Sequence, residues 1–334
     1  MLSKGLSAVV VTDTHTNDPF AYVNPLVVAV LDRVGRYINI CAGDDYYEAL
    51  ARAESQEQDF DVVIVFLRSR ALFRHQGLFA GIRKPVVVVE HDAYQNSLEW
   101  HPSFQAWTRY FAENPVAALC VSGAQALSDL SGTIPGIVKR IPKGAPGRFL
   151  DISNTDTLGR YCIFGTVQFE VYEERKKVFD MVHPYTLFDR IIRKWNLYGV
   201  SYLASRTFRK APDVSRISFA YPDMPSVLRY YSAAVLCDKG LREPMMKHFE
   251  VAALGLVPFR DTECVDELGE MGYLDGESMV VYEDVWELKE KMSFYASHRQ
   301  CLERLKRNAR EVTKDHTWER RAEDIVGFIA HEVV

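Results

Sequence analysis

Between Ala233 and Phe259 the chain reads, without a break, as an apolar strand (Ala233–Cys237), a polar loop (Asp238–Glu243), a helix opened by Pro244 and closed at Gly255, and a second apolar strand (Leu256–Phe259). Proline fits a first helical turn, where its missing N–H leaves nothing unpaired, and glycine fits the residue just past a helix end. The helix then begins at the carboxyl end of a strand, where open α/β sheets bind ligands. Its unpaired N–H groups and positive dipole end suit a phosphate. Glu250 is flanked by Phe249, Val251, Ala252 and Ala253. A carboxylate in apolar surroundings is unfavourable unless it has a partner, and the hydroxyls of a nucleotide's ribose would serve.

The rest of the chain repeats the theme. Leu6–Thr12, Tyr37–Cys41, Asp61–Leu67, Pro85–Val89, Val116–Val121 and Ile137–Ile141 read as strands. Helical patterns lie between them at Asn24–Val34, Asp44–Ala53, Ala71–Gly81, Phe104–Phe111 and Ser122–Leu130. The runs DVVIVFL and PVVVV are continuously apolar and rich in β-branched residues, as in strands covered on both faces. Such alternation predicts α/β architecture with a doubly wound parallel sheet.

Pro142-Lys-Gly-Ala-Pro-Gly147 interrupts the pattern, and turn-forming residues stay frequent as far as Leu158. A domain boundary is therefore placed here, giving 1–150 and 151–315 as two domains, a natural division for 334 residues. The second half restarts with a strand at Tyr161–Gly165 and a basic helix at Glu173–Met181. Short strands at Leu197–Val200 and Ile217–Ala220 and a helix at Pro225–Tyr231 precede the opening stretch. After it come a strand at Met279–Tyr282 and helices at Val285–Ala296, Arg299–Thr313 and Thr317–Ile329.

A net charge of −5 speaks against a broad nucleic-acid or membrane footprint. No apolar run approaches a membrane span, and MLSKGLSAVVVTD turns polar too soon for a signal peptide. The six cysteines (41, 120, 162, 237, 264, 301) show no C-x-x-C spacing, and four lie in apolar runs. They read as buried thiols of a cytoplasmic protein.

The segment Glu250-Val-Ala-Ala-Leu-Gly255-Leu-Val-Pro258 resembles the E-A-L-A-x-G-x-P-V stretch of GT-B glycosyltransferases, especially the group-1 (GT4-like) branch. The likeness continues through GYLDGESMVVYEDVWELKEKMSFY and DHTWERRAEDI, covering about the last third of the chain. Pro142, Lys143, Gly144 and Phe149 also match a P-N-G-V-D…F segment before the family's linker. One departure stands out. The family's second glutamate lies eight positions before Glu250, where this chain has Arg242, with Glu243 seven before. The resemblance implies two Rossmann-like domains facing a cleft, with a C-terminal helix (316–334) crossing back to the first domain.

The candidate donor-binding residues are Glu250 for the ribose, Lys239 and Arg242 in the loop before it, Arg175 and Lys176 after the first strand of the second half, and Asp13 and His15 after the first strand of all. A guanidinium meets phosphate through a fork and an ammonium as a point charge. The resemblance implies that an Arg–Lys pair neutralises the leaving diphosphate, although the local sequence here lacks the usual G-R…K-G pattern. His91 and Asp92 end a buried strand, and the resemblance places a histidine there, close to the transferred sugar. Glu243 is set near the sugar or diphosphate. Each has a plain alternative: a solvated helix face for Arg175 and Lys176, a cap for His91 and Asp92, a dipole-favoured acid for Glu243. Asp44-Asp45 and Glu90-His91-Asp92 do not make a hard-cation site, which needs several converging oxygens. The aromatics Tyr46, Tyr47, Tyr94, Trp100, Trp107 and Tyr110 suit either sugar stacking or a core.

The expected activity is transfer of a sugar from a UDP- or GDP-sugar to the hydroxyl of a glycan, lipid-linked or small-molecule acceptor, without metal or resident cofactor. Retention at the anomeric carbon follows from the resemblance alone. A catalytically silent nucleotide-sugar-binding protein and an epimerase on the same scaffold stay open, since fold does not fix reaction. A phosphorylase would need a pyridoxal-binding lysine, for which no motif is present.

Overall fold

The computed structural model describes residues 5–12, 24–40, 60–67, 72–73, 77–90, 104–156, 159, 161–163, 177–178, 225 and 228–334. They fall into two compact units. The first comprises Met1–Lys143, Leu241–Glu243 and Trp318–Val334, and the second Gly144–Gly240 and Pro244–Thr317.

Six strands form the sheet of the first unit: β1 (Ser7–Thr12), β2 (Arg36–Ile40), β3 (Val62–Phe66), β4 (Val86–Glu90), β5 (Ala118–Val121) and β6 (Ile137–Arg140). All are parallel, in the order β2-β1-β3-β4-β5-β6. The chain therefore winds outward in both directions from β1, and the switch point of the sheet lies between β1 and β3. Every residue of β3 and β4 is buried, which is why these strands read as unbroken apolar runs instead of alternating ones. Val9, Val63, Val65, Val88 and Leu119 pack on one face with Trp107, Tyr110 and Phe111 of α2 (Phe104–Glu113). Trp107 stacks on Phe111 at 5.5 Å, and Phe73 meets both Trp107 and Tyr110. These aromatics are core, not a sugar platform.

Helix α1 (Asn24–Leu31) packs against the last helix of the chain, and Arg33 pairs with Glu323 there at 3.0 Å. Helix α3 (Ala124–Leu130) follows β5 directly. The helix expected at Ala71–Gly81 is not formed over its second half. Residues 77–81 are turns, with Gly77 and Gly81 at φ +74° and +88°, a left-handed backbone that ends a helix instead of continuing it.

At Gly136, φ is +93°, and an added Cβ would overlap the carbonyl oxygen of Val116 and lie 2.8 Å from that of Ala117. Gly136→Ala is accordingly expected to destabilise the protein by about 1–3 kcal/mol. Denaturant titration checks this, and an unchanged midpoint would contradict it.

The second unit carries β7 (Tyr161–Ile163), β8 (Ala233–Leu236), β9 (Val257–Asp261) and β10 (Val280–Tyr282), parallel and ordered β10-β9-β8-β7 among the described residues. Side chains alternate across this sheet. Ala233, Val235, Cys237, Val257 and Phe259 face α6 (Val285–Ser297) through Leu288 and Met292. Ala234 and Leu236 face the opposite layer, with Phe249, Val251 and Ala252 of α4 (Met246–Ala253), Leu268 of α5 (Val265–Glu270) and Ala309 of α7 (Arg299–Thr313).

Helix α6 starts where Asp284 accepts the N–H groups of Trp286 and Glu287 at 2.8 and 2.9 Å, an N-cap in the usual sense. Helix α7 spans the residues its apolar spacing predicts, burying Leu302, Leu305, Ala309 and Thr313 along one stripe. The final helix, α8 (Trp318–Phe328), ends in a wider π turn at Ile329–Val333 and clusters with the first unit. Among the described residues no helix is long and apolar enough to cross a membrane. Cys120, Cys162 and Cys237 are buried free thiols.

Candidate functional site

The loop leaving β8 carries three of the expected site residues, and it is pinned from beneath while its cations face outward. Lys239 and Arg242 are exposed, whereas Asp238, Leu241 and Glu243 are buried. Gly240 and Arg242 both adopt left-handed backbone, at φ +88° and +53°. For glycine that conformation is free of strain, but for arginine it is uncommon and persists because the surroundings hold it.

Two carboxylates of the second unit fix the start of the loop. Asp261, the last residue of β9, accepts the N–H groups of Asp238 and Lys239 on one oxygen at 2.7 and 2.9 Å, and that of Glu263 on the other at 3.0 Å. Glu263 in turn accepts the N–H of Gly240 at 3.2 Å. Arg260 is wholly buried beside them. Its guanidinium donates to the carbonyls of Asp261 and Glu263 and lies 3.7 Å from the Asp261 carboxylate.

Burial raises the Asp261 carboxyl above its ordinary 3.8, and Arg260 opposes that shift. The sign matters. A raised carboxyl favours the protonated folded state, so its contribution to stability is full below 3.8 and is lost as pH rises through the raised value. The neighbouring Cys237 thiol is pushed up to about 12, by burial first and by Asp261 second.

The end of the loop is fixed within the first unit. Glu243 is fully buried, accepting from the Lys143 ammonium at 2.8 Å on one oxygen and from the Ser122 hydroxyl at 2.5 Å on the other. Ser122 follows β5 and Lys143 follows β6, so the carboxylate sits at the carboxyl edge of the sheet. Gly123 makes room for it. A Cβ there would stand 3.0 Å from that of Glu243.

Helix α4 begins at Met246, with Met245 as an N-cap that has no side-chain hydrogen bond. Pro244 therefore precedes the cap and does not open the helix. Glu250 lies in the middle of α4 at 1% exposure. His248, also on α4, packs edge-on against Tyr273 with ring centres 4.3 Å apart. Its ring nitrogens have no hydrogen-bond partner among the described residues. Burial, then the nearby Arg260 and His316, hold it well below the ordinary histidine value and hence neutral.

Of the residues expected from the sequence, the structure places Lys239, Arg242, Glu243 and Glu250. Asp13, His15, His91, Asp92, Arg175 and Lys176 lie outside the described residues. Asp261, Arg260, Ser122 and His248 were not anticipated. Arg260-Asp261 did leave a trace, a charged pair closing an otherwise apolar strand. Ser122 has no local mark at all.

Residues 186–327 match the family described as glycosyl transferase-like. No curated protein matches the sequence. Among solved structures, HepE of Anabaena in complex with UDP-glucose aligns at a TM-score of 0.62 and 10% identity, over 97% of this chain and 99% of that one. An E. coli structure described as trehalose-6-phosphate bound with UDP-2-fluoro glucose aligns at 0.61 and 11%, over 98% and 99%. An α,α-trehalose-phosphate synthase (UDP-forming) from Burkholderia vietnamiensis gives 0.58 and 10%, over 98% and 99%. At such identities the likeness is one of fold. The chain has the two-domain GT-B fold of glycosyltransferases, and its residues 186–327 carry the sequence pattern of the glycosyl transferase-like family.

Proposed function

We propose that this protein transfers a sugar from a nucleoside-diphosphate sugar to an acceptor hydroxyl, with the donor held by the second unit and the acceptor by the first. The observation that carries the reading is Glu250: a carboxylate at 1% exposure in a helix that starts at the carboxyl end of a parallel strand. In this reading the carboxylate takes the ribose hydroxyls, and the N–H groups at the start of α4 face the diphosphate. Lys239 and Arg242, exposed on the loop before that helix, neutralise the charge that develops as the diphosphate leaves. Fixed dipoles and cations placed where charge develops commonly lower a barrier more than any other device an enzyme has, and here they would serve without a metal. HepE, of like fold, is described in complex with UDP-glucose, which makes a uridine nucleotide the first donor to test. Retention of anomeric configuration and a hexose as the transferred group belong to the same reading.

One observation favours a second reading. Glu243, set near the sugar by the sequence, has both oxygens engaged by Lys143 and Ser122, which suits a protein that binds a nucleotide sugar without turning it over. Thermal shift with a panel of nucleoside-diphosphate sugars tests both. The transferase reading expects stabilisation by at least one donor, and release of free nucleotide once an acceptor is added. Stabilisation without release under any acceptor supports the binding protein, and no shift with any donor contradicts both.

A further inference from the structure

We propose that Asp261 is a positioning residue for the donor diphosphate, acting through Lys239. The inference rests on the proposed donor reading and extends it to a residue that touches no ligand. Three facts converge. The Asp261 carboxylate accepts two consecutive N–H groups, those of Asp238 and Lys239, on a single oxygen. The next N–H, of Gly240, goes to Glu263, whose own N–H returns to Asp261. The side chain of the residue so fixed, Lys239, is exposed. The main chain is thus tied inward over three successive residues while its cation projects outward.

A lysine has four rotatable bonds and a point charge, so its aim depends on the backbone that carries it. Ordering the loop before the ligand arrives removes that ordering from the cost of binding. The clasp also uses both oxygens of the side chain. Five donors bear on it, the N–H groups of Asp238, Lys239 and Glu263, the Cys237 thiol and the Arg260 guanidinium, while the Asp238 carboxylate opposes its charge. An asparagine has one acceptor oxygen and would turn its NH2 toward donors on the other side.

The test combines hydrogen exchange with a double-mutant cycle, and UDP-glucose is the probe because its diphosphate keeps its charge across the neutral range. In the ligand-free protein, Asp261→Asn is expected to raise amide exchange at least tenfold over residues 238–240 while the protection of β9 and α7 is kept. Its UDP-glucose affinity is expected to fall at least tenfold. Lys239→Ala is expected to lose a similar factor, and the double variant little more than either single one, because the carboxylate works through the ammonium. Independent, multiplying losses would overturn the positioning role, as would unchanged exchange in the 238–240 amides or unchanged affinity in Asp261→Asn. If the wild-type protein binds no nucleoside-diphosphate sugar while exchange in Asp261→Asn still rises, the donor reading and the role toward diphosphate both fall, and the clasp alone is upheld.

Discussion

Lys143→Ala is expected to lower the unfolding free energy by about 3–5 kcal/mol, the usual result of removing one partner from a buried ion pair. The ammonium and the Glu243 carboxylate are 4% and 0% exposed, with 2.8 Å between them. Without the ammonium, Glu243 loses the cation 2.8 Å from one of its oxygens while the Ser122 hydroxyl stays in place. A buried carboxylate so left must either protonate or move out. Removing both charges is a different experiment. A Lys143→Met, Glu243→Leu double variant exchanges the pair for apolar groups of like volume and is expected to recover most of the loss, since the intact pair gains little over a packed apolar substitute. Trp107 and Trp318 are both buried in the first unit, so denaturant unfolding followed by tryptophan fluorescence reads the effect. A loss below about 1 kcal/mol, the scale of an exposed pair, would show that the ammonium and carboxylate are not held as described.

Glu250→Ala is expected to weaken donor binding by about 1–3 kcal/mol, or roughly fivefold to 150-fold in Kd, which is the range for a lost hydrogen bond to a charged group. The carboxylate is too deeply set to act as a general surface charge. Its effect should therefore resist salt, which screens exposed charges far more than buried ones. Lys239→Ala should lose a part of its effect as salt is raised. Glu250→Gln is expected to fall between wild type and alanine, since the amide keeps one acceptor and gives up the charge. Calorimetric titration with a nucleoside-diphosphate sugar at low and moderate salt, with circular dichroism to verify folding, separates the two behaviours.

Much of the architecture was legible because it depends on local pattern. The β-branched runs at Val62–Phe66 and Val86–Glu90 announce buried parallel strands, and the stripe Leu302, Leu305, Ala309 and Thr313 announces α7. The errors are local too, and each has a cause. Leu72, Phe73, Leu78 and Phe79 are spaced like a helix, yet Gly77 sits among them in a left-handed conformation and breaks it. Pro244 suggested a helix start, but the extended cap residue is Met245, at φ −80° and ψ 146°, and the helix begins one residue later.

The site was legible only where chemistry and local pattern coincide. Glu250 stood out as a charge within an apolar helix, and it is buried. Lys143 and Ser122 reach Glu243 across 100 and 121 positions, and Asp261 reaches back 22 and 23 positions to the loop it holds. No spacing rule reports such partners, because they are created by the stacking of parallel strands and not by neighbours along the chain. The clasp on the β8–α4 loop could have been suspected from Arg260-Asp261 alone, since a charged pair at the carboxyl end of a buried strand needs a reason.

The most direct test of the account is crystallographic. Crystals soaked with UDP-glucose should show the ribose hydroxyls within hydrogen-bonding distance of the Glu250 carboxylate, and the diphosphate against the first N–H groups of α4 with the Lys239 ammonium beside it. A nucleotide bound elsewhere on the molecule, with Glu250 still shut away from it, would contradict the account.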